Sequence, residues 1–183
     1  MNLAVFLDRD GVLVRAAVRD GRPYPPSTFE DLEILPEART ACRALRNAGF
    51  LLIAATNQPD VARGDARRAD VEAMNVRVRE ELALDAVYAC FHDDADECDC
   101  RKPKPGLLTR AASDYGVDLS GSYMVGDRWR DIEAGSAAGC HTIFIDYSYA
   151  ERRPADPSAV VRSTAEAAQW ILRRDRAKIA RAG

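Results

Sequence analysis

The chain has 183 residues, 47% of them hydrophobic and 30% charged, with a net charge of −3; that balance fits one globular domain, residues 1–183, with a sizeable core. Mild acidity argues against a polyanion-binding surface, so nucleic acid is not an expected partner. No apolar run approaches the roughly 18–20 residues of a membrane span, and no basic leader precedes the first apolar run, so a cytoplasmic protein without a membrane partner is expected.

Residues 3–7 form a short apolar run that reads as a buried parallel-type strand, and it ends in Asp8-Arg9-Asp10-Gly11. Two carboxylates at a strand's carboxyl end, with a glycine to turn the chain away, divide labour naturally: one as nucleophile or metal ligand, the other as acid/base. Residues 12–35 lack a period and contain Gly21, Pro23, Pro25 and Pro26, which predicts a long loop with room for a short β-hairpin. Pro36 opens a helix through residue 48, stopped by Gly49. Residues 50–55 form a second strand ending in Thr56-Asn57-Gln58, and 65–84 carry a helical stripe of Val71, Met74, Val78 and Leu82.

A third strand at 86–91 leads into an acidic loop that holds Cys90, His92, Cys98 and Cys100 and ends in Arg101-Lys102-Pro103. Of the five cysteines, Cys42 and Cys140 stand apart, and an odd count in a cytosolic setting favours metal binding over disulfides. Pro105 starts a helix that Gly116 ends. A fourth strand at 122–125 ends in Gly126-Asp127, a helix follows from 131 to 138, and 142–145 form a fifth strand. The stretch 147–163, with Pro154 and Pro157, reads as a loose connection without chemistry, and a helix from 164 to about 180 closes the chain on Ala165, Ala168, Ile171 and Leu172.

Strands alternating with helices predict an α/β fold: a doubly wound, mainly parallel sheet in a Rossmann-like three-layer sandwich. Its strands' carboxyl ends would gather Asp8/Asp10, Thr56/Asn57, Arg101/Lys102 and Asp127/Asp131 along one edge. Carboxylates suited to Mg²⁺, hydroxyl and ammonium donors, and an Asp able to attack phosphorus point to phosphoryl transfer.

These four motifs in order, Asp8-x-Asp10-Gly11, Thr56, Lys102 and Gly126-Asp127-x-x-x-Asp131, resemble the haloacid dehalogenase (HAD) superfamily of aspartate-nucleophile phosphatases. The resemblance covers essentially the whole chain. It implies Asp8 as nucleophile, Asp10 as acid/base, Mg²⁺ held by Asp8, the Asp10 carbonyl and Asp127, and phosphate contacts from Thr56, Asn57, Gln58 and Lys102. The short intervals between motifs leave no room for a separate cap domain. More narrowly, residues 6–12, Thr56-Asn57-Gln58, Val61-Ala62-Arg63-Gly64 and Cys98-Asp99-Cys100-Arg101-Lys102-Pro103 are similar to the family of heptose-bisphosphate and histidinol-phosphate phosphatases.

That likeness implies a structural Zn²⁺ on Cys90, His92, Cys98 and Cys100 in a loop at 90–102, and a small phosphorylated substrate met by Arg63, Arg101 and Arg128. The expected protein is a monomeric phosphomonoester hydrolase, with a heptose 1,7-bisphosphate favoured over histidinol phosphate; a zinc-bearing binding module without turnover is the other class. Pro59-Asp60 departs from the small Ser-Gly usual there, removing a backbone donor and adding a negative charge. Asp131 is read as an orienter behind the metal ligands or a ligand of metal-bound water, or else as a helix-start Asp, Lys104 as exposed, Trp129 as packing and His141 as structural.

Overall fold

The computed structural model describes residues 1–182, with side chains through residue 177. Six strands, β1 (Ala4–Leu7), β4 (Leu51–Asn57), β5 (Ala86–Cys90), β6 (Tyr123–Gly126), β7 (His141–Ile145) and β8 (Ala159–Val161), form one sheet. Its order is β5-β4-β1-β6-β7-β8, and every neighbouring pair is parallel. Between β1 and β4, a separate antiparallel hairpin pairs β2 (Ala17–Arg19) with β3 (Arg22–Tyr24). Its turn is Asp20-Gly21, both at positive φ, as the tightest hairpin turn requires.

Continuous apolar strands form here because both sheet faces are covered, and successive side chains alternate between two cores. Val5, Leu7, Leu52, Ala54, Val125, Ile143 and Ile145 share one core with α1 (Pro36–Asn47), α3 (Arg68–Leu82) and α6 (Thr164–Ala182). Ala4, Phe6, Ile53, Ala55 and Met124 face the other, beneath Leu107, Leu108 and Ala111 of α4 (Gly106–Tyr115). On that second face, α5 (Trp129–Ala137) lies so close to the sheet that a Cβ on Gly135 would stand 2.6 Å from the Met124 Cβ. The result is the expected three layers, and no helix among the described residues is long and apolar enough to cross a membrane.

Three local expectations change. The helix expected over 65–84 is the shorter α3, and a separate turn that was not expected, α2 (Asp60–Arg63), precedes it and is closed by Gly64 at φ +81°. The 147–163 stretch is not featureless: Ala159–Val161 adds a sixth strand at the sheet edge. In α6 the buried stripe is Ala167, Ala168 and Ile171, whereas Ala165 and Leu172 are only half-buried.

The chain winds outward from β1 through β4 to β5 in one direction and from β6 through β7 to β8 in the other. The winding therefore reverses between β1 and β6, and the carboxyl ends of these two strands deliver Asp8 and Asp127 side by side. A crevice forms at such a reversal because the connections on either side leave in opposite directions.

Candidate active site

Asp8 leaves β1 with its amide donating to the Val125 carbonyl at 3.0 Å, which fixes it against β6. Gly11 then turns at φ +87°, and a Cβ there would fall 1.9 Å from Asp127 Oδ2, so both its conformation and its lack of a side chain are required. Oxygens of Asp8, Asp127 and Asp131 lie within 4.8 Å of one another, all three residues buried. Lys102, 1% exposed, reaches into this cluster. Its Nζ lies 2.8 Å from Asp8 Oδ1 and 2.5 Å from Asp131 Oδ1, and donates to the Ala55 carbonyl at 2.6 Å.

Three carboxylates against one ammonium leave an excess of negative charge in a dry place. Burial raises the Asp8 carboxyl, Lys102 opposes, Asp131 and Asp10 add to the rise, and the outcome is about 7. Asp127 is pushed well above the ordinary range by burial and then by Asp8 and Asp131. Asp127 Oδ1 is buried without a hydrogen-bond partner. A buried carboxylate with an orphaned oxygen, clustered with Asp8, is the donor set of a hard divalent cation, which fits these residues. Asp131 is committed otherwise: Oδ1 pairs with Lys102, and Oδ2 accepts the Arg128 N–H at 3.0 Å to cap α5. Asp131 thus makes a contact to Lys102 and a helix-start contact at once.

The second carboxylate of the first motif is turned away from the cluster. Asp10 accepts from Arg9 Nε at 2.9 Å, Arg9 Nη2 at 3.0 Å and Gln58 Nε2 at 2.8 Å. Arg9 is itself fully enclosed, held by Asn75 Oδ1 and Gln58 Oε1, each at 2.9 Å. Gln58 also donates to Thr56 Oγ1 at 2.9 Å, so its side chain orients Asp10 and Thr56 and does not line the cavity. The Asn57 amide chelates the Lys102 backbone, accepting from its N–H at 3.0 Å and donating to its carbonyl at 2.9 Å.

Above Asp8 and Asp10 a cavity of about 590 Å³ opens between the β2–β3 hairpin, the 59–63 turn, the start of α5 and residues 150–152. The arginines expected to meet substrate already hold carboxylates. Arg63 pairs with Asp93 at 2.7 Å and with Asp60 at 3.4 Å. Arg128 is forked on Glu151, with Nε to Oε2 at 3.0 Å. Arg101 sits off the cavity, against Asp94 at 2.8 Å. Trp129, expected only to pack, lines the cavity and carries two guanidinium groups over its ring, Arg152 at 3.7 Å and Arg130 at 4.6 Å from the ring centre. Lys104 is tethered at the surface to the Glu97 carbonyl, and His141 stands beside Arg174 and Tyr123 as a structural histidine.

The 147–153 segment is the main omission of the sequence reading. Tyr149 donates its hydroxyl to Asp127 Oδ2 at 3.0 Å, and Glu151 is the partner of Arg128. Burial and the neighbouring Asp127 push the Tyr149 phenol up, so it stays a donor. The signal was present, since this segment follows the carboxyl end of β7, on the edge that supplies every other site residue.

The Cys/His cluster is closed. Cys100 Sγ stands 3.2 Å from Cys90 Sγ, 3.4 Å from Cys98 Sγ and 3.3 Å from His92 Nδ1. Cys90 Sγ stands 3.7 Å from Cys98 Sγ and 3.5 Å from His92 Nδ1. These are five of the six edges of the cluster, and a regular tetrahedron of such edges has its centre about 2.0–2.3 Å from each corner, the range of zinc's distances to sulfur and imidazole nitrogen.

An HAD-hydrolase-like family model matches residues 99–167. D-glycero-beta-D-manno-heptose-1,7-bisphosphate 7-phosphatase of Pseudomonas aeruginosa is 39% identical over 77% of this chain and 79% of its own length. The enzyme of the same name from Escherichia coli K12 is 34% identical over 92% and 87%. The crystal structure of D,D-heptose 1,7-bisphosphate phosphatase from B. bronchiseptica, complexed with magnesium and phosphate, superposes with a TM-score of 0.80 at 31% identity, covering 95% of this chain and 99% of that one.

Proposed function

The chain belongs to the HAD-type heptose-bisphosphate phosphatase family, and on that footing we propose that it removes the 7-phosphate of D-glycero-D-manno-heptose 1,7-bisphosphate. The observation that carries the phosphatase chemistry is the buried Asp8–Lys102–Asp131 array at the point where the sheet's winding reverses, opening on a cavity large enough for a sugar bisphosphate.

In the proposed reaction an Asp8 oxygen attacks phosphorus while the P–O bond to the sugar breaks, and Asp10 gives its proton to the departing alkoxide. Asp10 then takes a proton from water as that water attacks the phosphorus of aspartyl-phosphate, returning Asp8 as a carboxylate. The Thr56 hydroxyl, the Asn57 N–H and Lys102 hold the phosphoryl oxygens. Arg9 and Gln58 keep Asp10 poised at the side of the cavity. Magnesium, which Asp8, Asp127 and the Asp10 carbonyl would hold, supplies the positive charge that lets an anionic carboxylate approach an anionic phosphate. The zinc reading belongs with this proposal: Cys90, His92, Cys98 and Cys100 would close the 90–102 loop and set the position of Lys102. The same reading takes the protein as a monomer of one domain without a cap, in a reducing cytoplasm where thiolates stay free for metal.

The structure rebalances the substrate argument. Asp93 and Asp94, candidate anchors for the cationic histidinol phosphate, are tied to Arg63, Arg101 and Arg130. Arg22 lines the cavity mouth without an ion pair among the described residues, whereas Arg130 and Arg152, which the sequence had not brought to the site, line it while paired with Asp94 and Glu133. Phosphate groups at both ends of the substrate suit that rim better than an amine does. The kcat/KM for each heptose bisphosphate anomer and for histidinol phosphate tests the assignment. A value for histidinol phosphate tenfold above both anomers overturns it, and no Mg²⁺-dependent hydrolysis of any phosphomonoester leaves only a binding module.

A further inference from the structure

We infer that Tyr149 is a positioning residue for the metal-binding carboxylate: its hydroxyl occupies one oxygen of Asp127 and so dedicates the other to the cation. This rests on the reading of Asp8 and Asp127 as cation ligands. Asp127 follows β6 with no side chain opposite it on Gly11, so the glycine that gives it room cannot orient it. Tyr149 does. Its O–H donates to Oδ2 at 3.0 Å, whereas Oδ1 is buried and has no partner, on a residue that shares an oxygen cluster with Asp8 and Asp131. A carboxylate with both oxygens open can rotate or chelate through both; one held by a phenol presents a single oxygen in a fixed direction.

Tyr149 is in turn held from three sides. Its ring lies 5.6 Å from that of Tyr147, the next residue's amide donates to the Gly21 carbonyl of the β2–β3 hairpin at 2.7 Å, and Glu151 grips Arg128. The segment thus runs as a strap from the hairpin over the metal carboxylate to the residue that follows it. It links the wall of the substrate cavity to the cation site.

The test is Tyr149→Phe, which keeps the ring and deletes only the hydroxyl, with Mn²⁺ as the probe. Electron paramagnetic resonance counts free Mn²⁺ without any turnover, and Mg²⁺ competition reports the natural cation. Loss of an outer hydrogen bond to a ligand typically weakens metal affinity by about 10–100-fold. The expected result is a weakening of at least about tenfold, with Tyr147→Phe unchanged and with kcat of Tyr149→Phe returning to near wild type at saturating Mg²⁺. A Tyr149→Phe affinity within twofold of wild type overturns the role of Tyr149, as does a loss of kcat that excess Mg²⁺ fails to restore. Wild-type protein that binds no Mn²⁺ overturns the reading of the cation site itself, and with it the inference.

Discussion

Replacing Lys102 with methionine keeps the side-chain stem and removes the charge that two buried carboxylates share. Lys102 Nζ stands 2.8 Å from Asp8 and 2.5 Å from Asp131, and the residue is 1% exposed, so no water can take its place without rearrangement. Breaking a buried pair by deleting one partner typically costs about 3–5 kcal/mol. At roughly 2–4 °C per kcal/mol for a domain of this size, the melting temperature should fall by about 6–20 °C. The loss should depend on pH in a defined sense. Asp8 already titrates near 7 in the fold, above its unfolded value, so what its neutral form contributes is complete in acid and is lost as pH rises through 7. Without Lys102 the carboxylates are still harder to ionise, so the deficit of the variant should be largest at pH 8 and shrink at pH 5. Mg²⁺ should recover part of it by supplying a cation. Thermal unfolding of both proteins in chelator, at the two pH values, is the assay. A Lys102→Met protein melting within about 2 °C of wild type at pH 8, or a deficit that grows in acid, refutes the reasoning.

Asp10→Asn should lower kcat by about 10²–10⁴-fold, the usual cost of an absent acid/base, and should also lower the melting temperature, because Asp10 is the carboxylate partner of the enclosed Arg9 and both its oxygens accept from Arg9 or Gln58. Purified protein should contain one zinc by elemental analysis, and Cys98→Ser should lose it, loosen the 90–102 loop and lower activity through the displaced Lys102; fully active protein without zinc contradicts the site.

Much of this molecule is written in its strand ends. Residues 3–7 and 50–55 announce buried parallel strands because they are apolar without alternation, and the polar residues that stop them fall on the edge where a doubly wound sheet opens. Asp8, Asp10, Lys102 and Asp127 were therefore legible, as was the Cys/His set by ligand type and spacing. The partners of those residues were not. Nothing in the spacing of Arg63 and Asp93, or of Arg128 and Glu151, shows that each arginine meets a carboxylate, since ion pairs across loops depend on where the backbone turns. Gln58 reads as a phosphate donor until Arg9 and Asp10 are seen to claim it. Tyr149 was passed over because Pro154 and Pro157 gave its stretch the composition of a connector, although it begins at the end of β7 like the other site segments.

The central claim is that Asp8 carries the phosphoryl group. Borohydride reduces an acyl phosphate, so enzyme quenched during turnover and then reduced should yield homoserine in place of Asp8 in peptide maps, only when substrate and Mg²⁺ are both present. Because phosphate monoesters are among the most inert substrates known, with accelerations reaching about 10²¹, no neighbouring group can substitute. Asp8→Asn should therefore be folded, unlabelled and inactive. An Asp8→Asn enzyme that keeps more than a tenth of the wild-type rate, or a label on any other residue, contradicts the account.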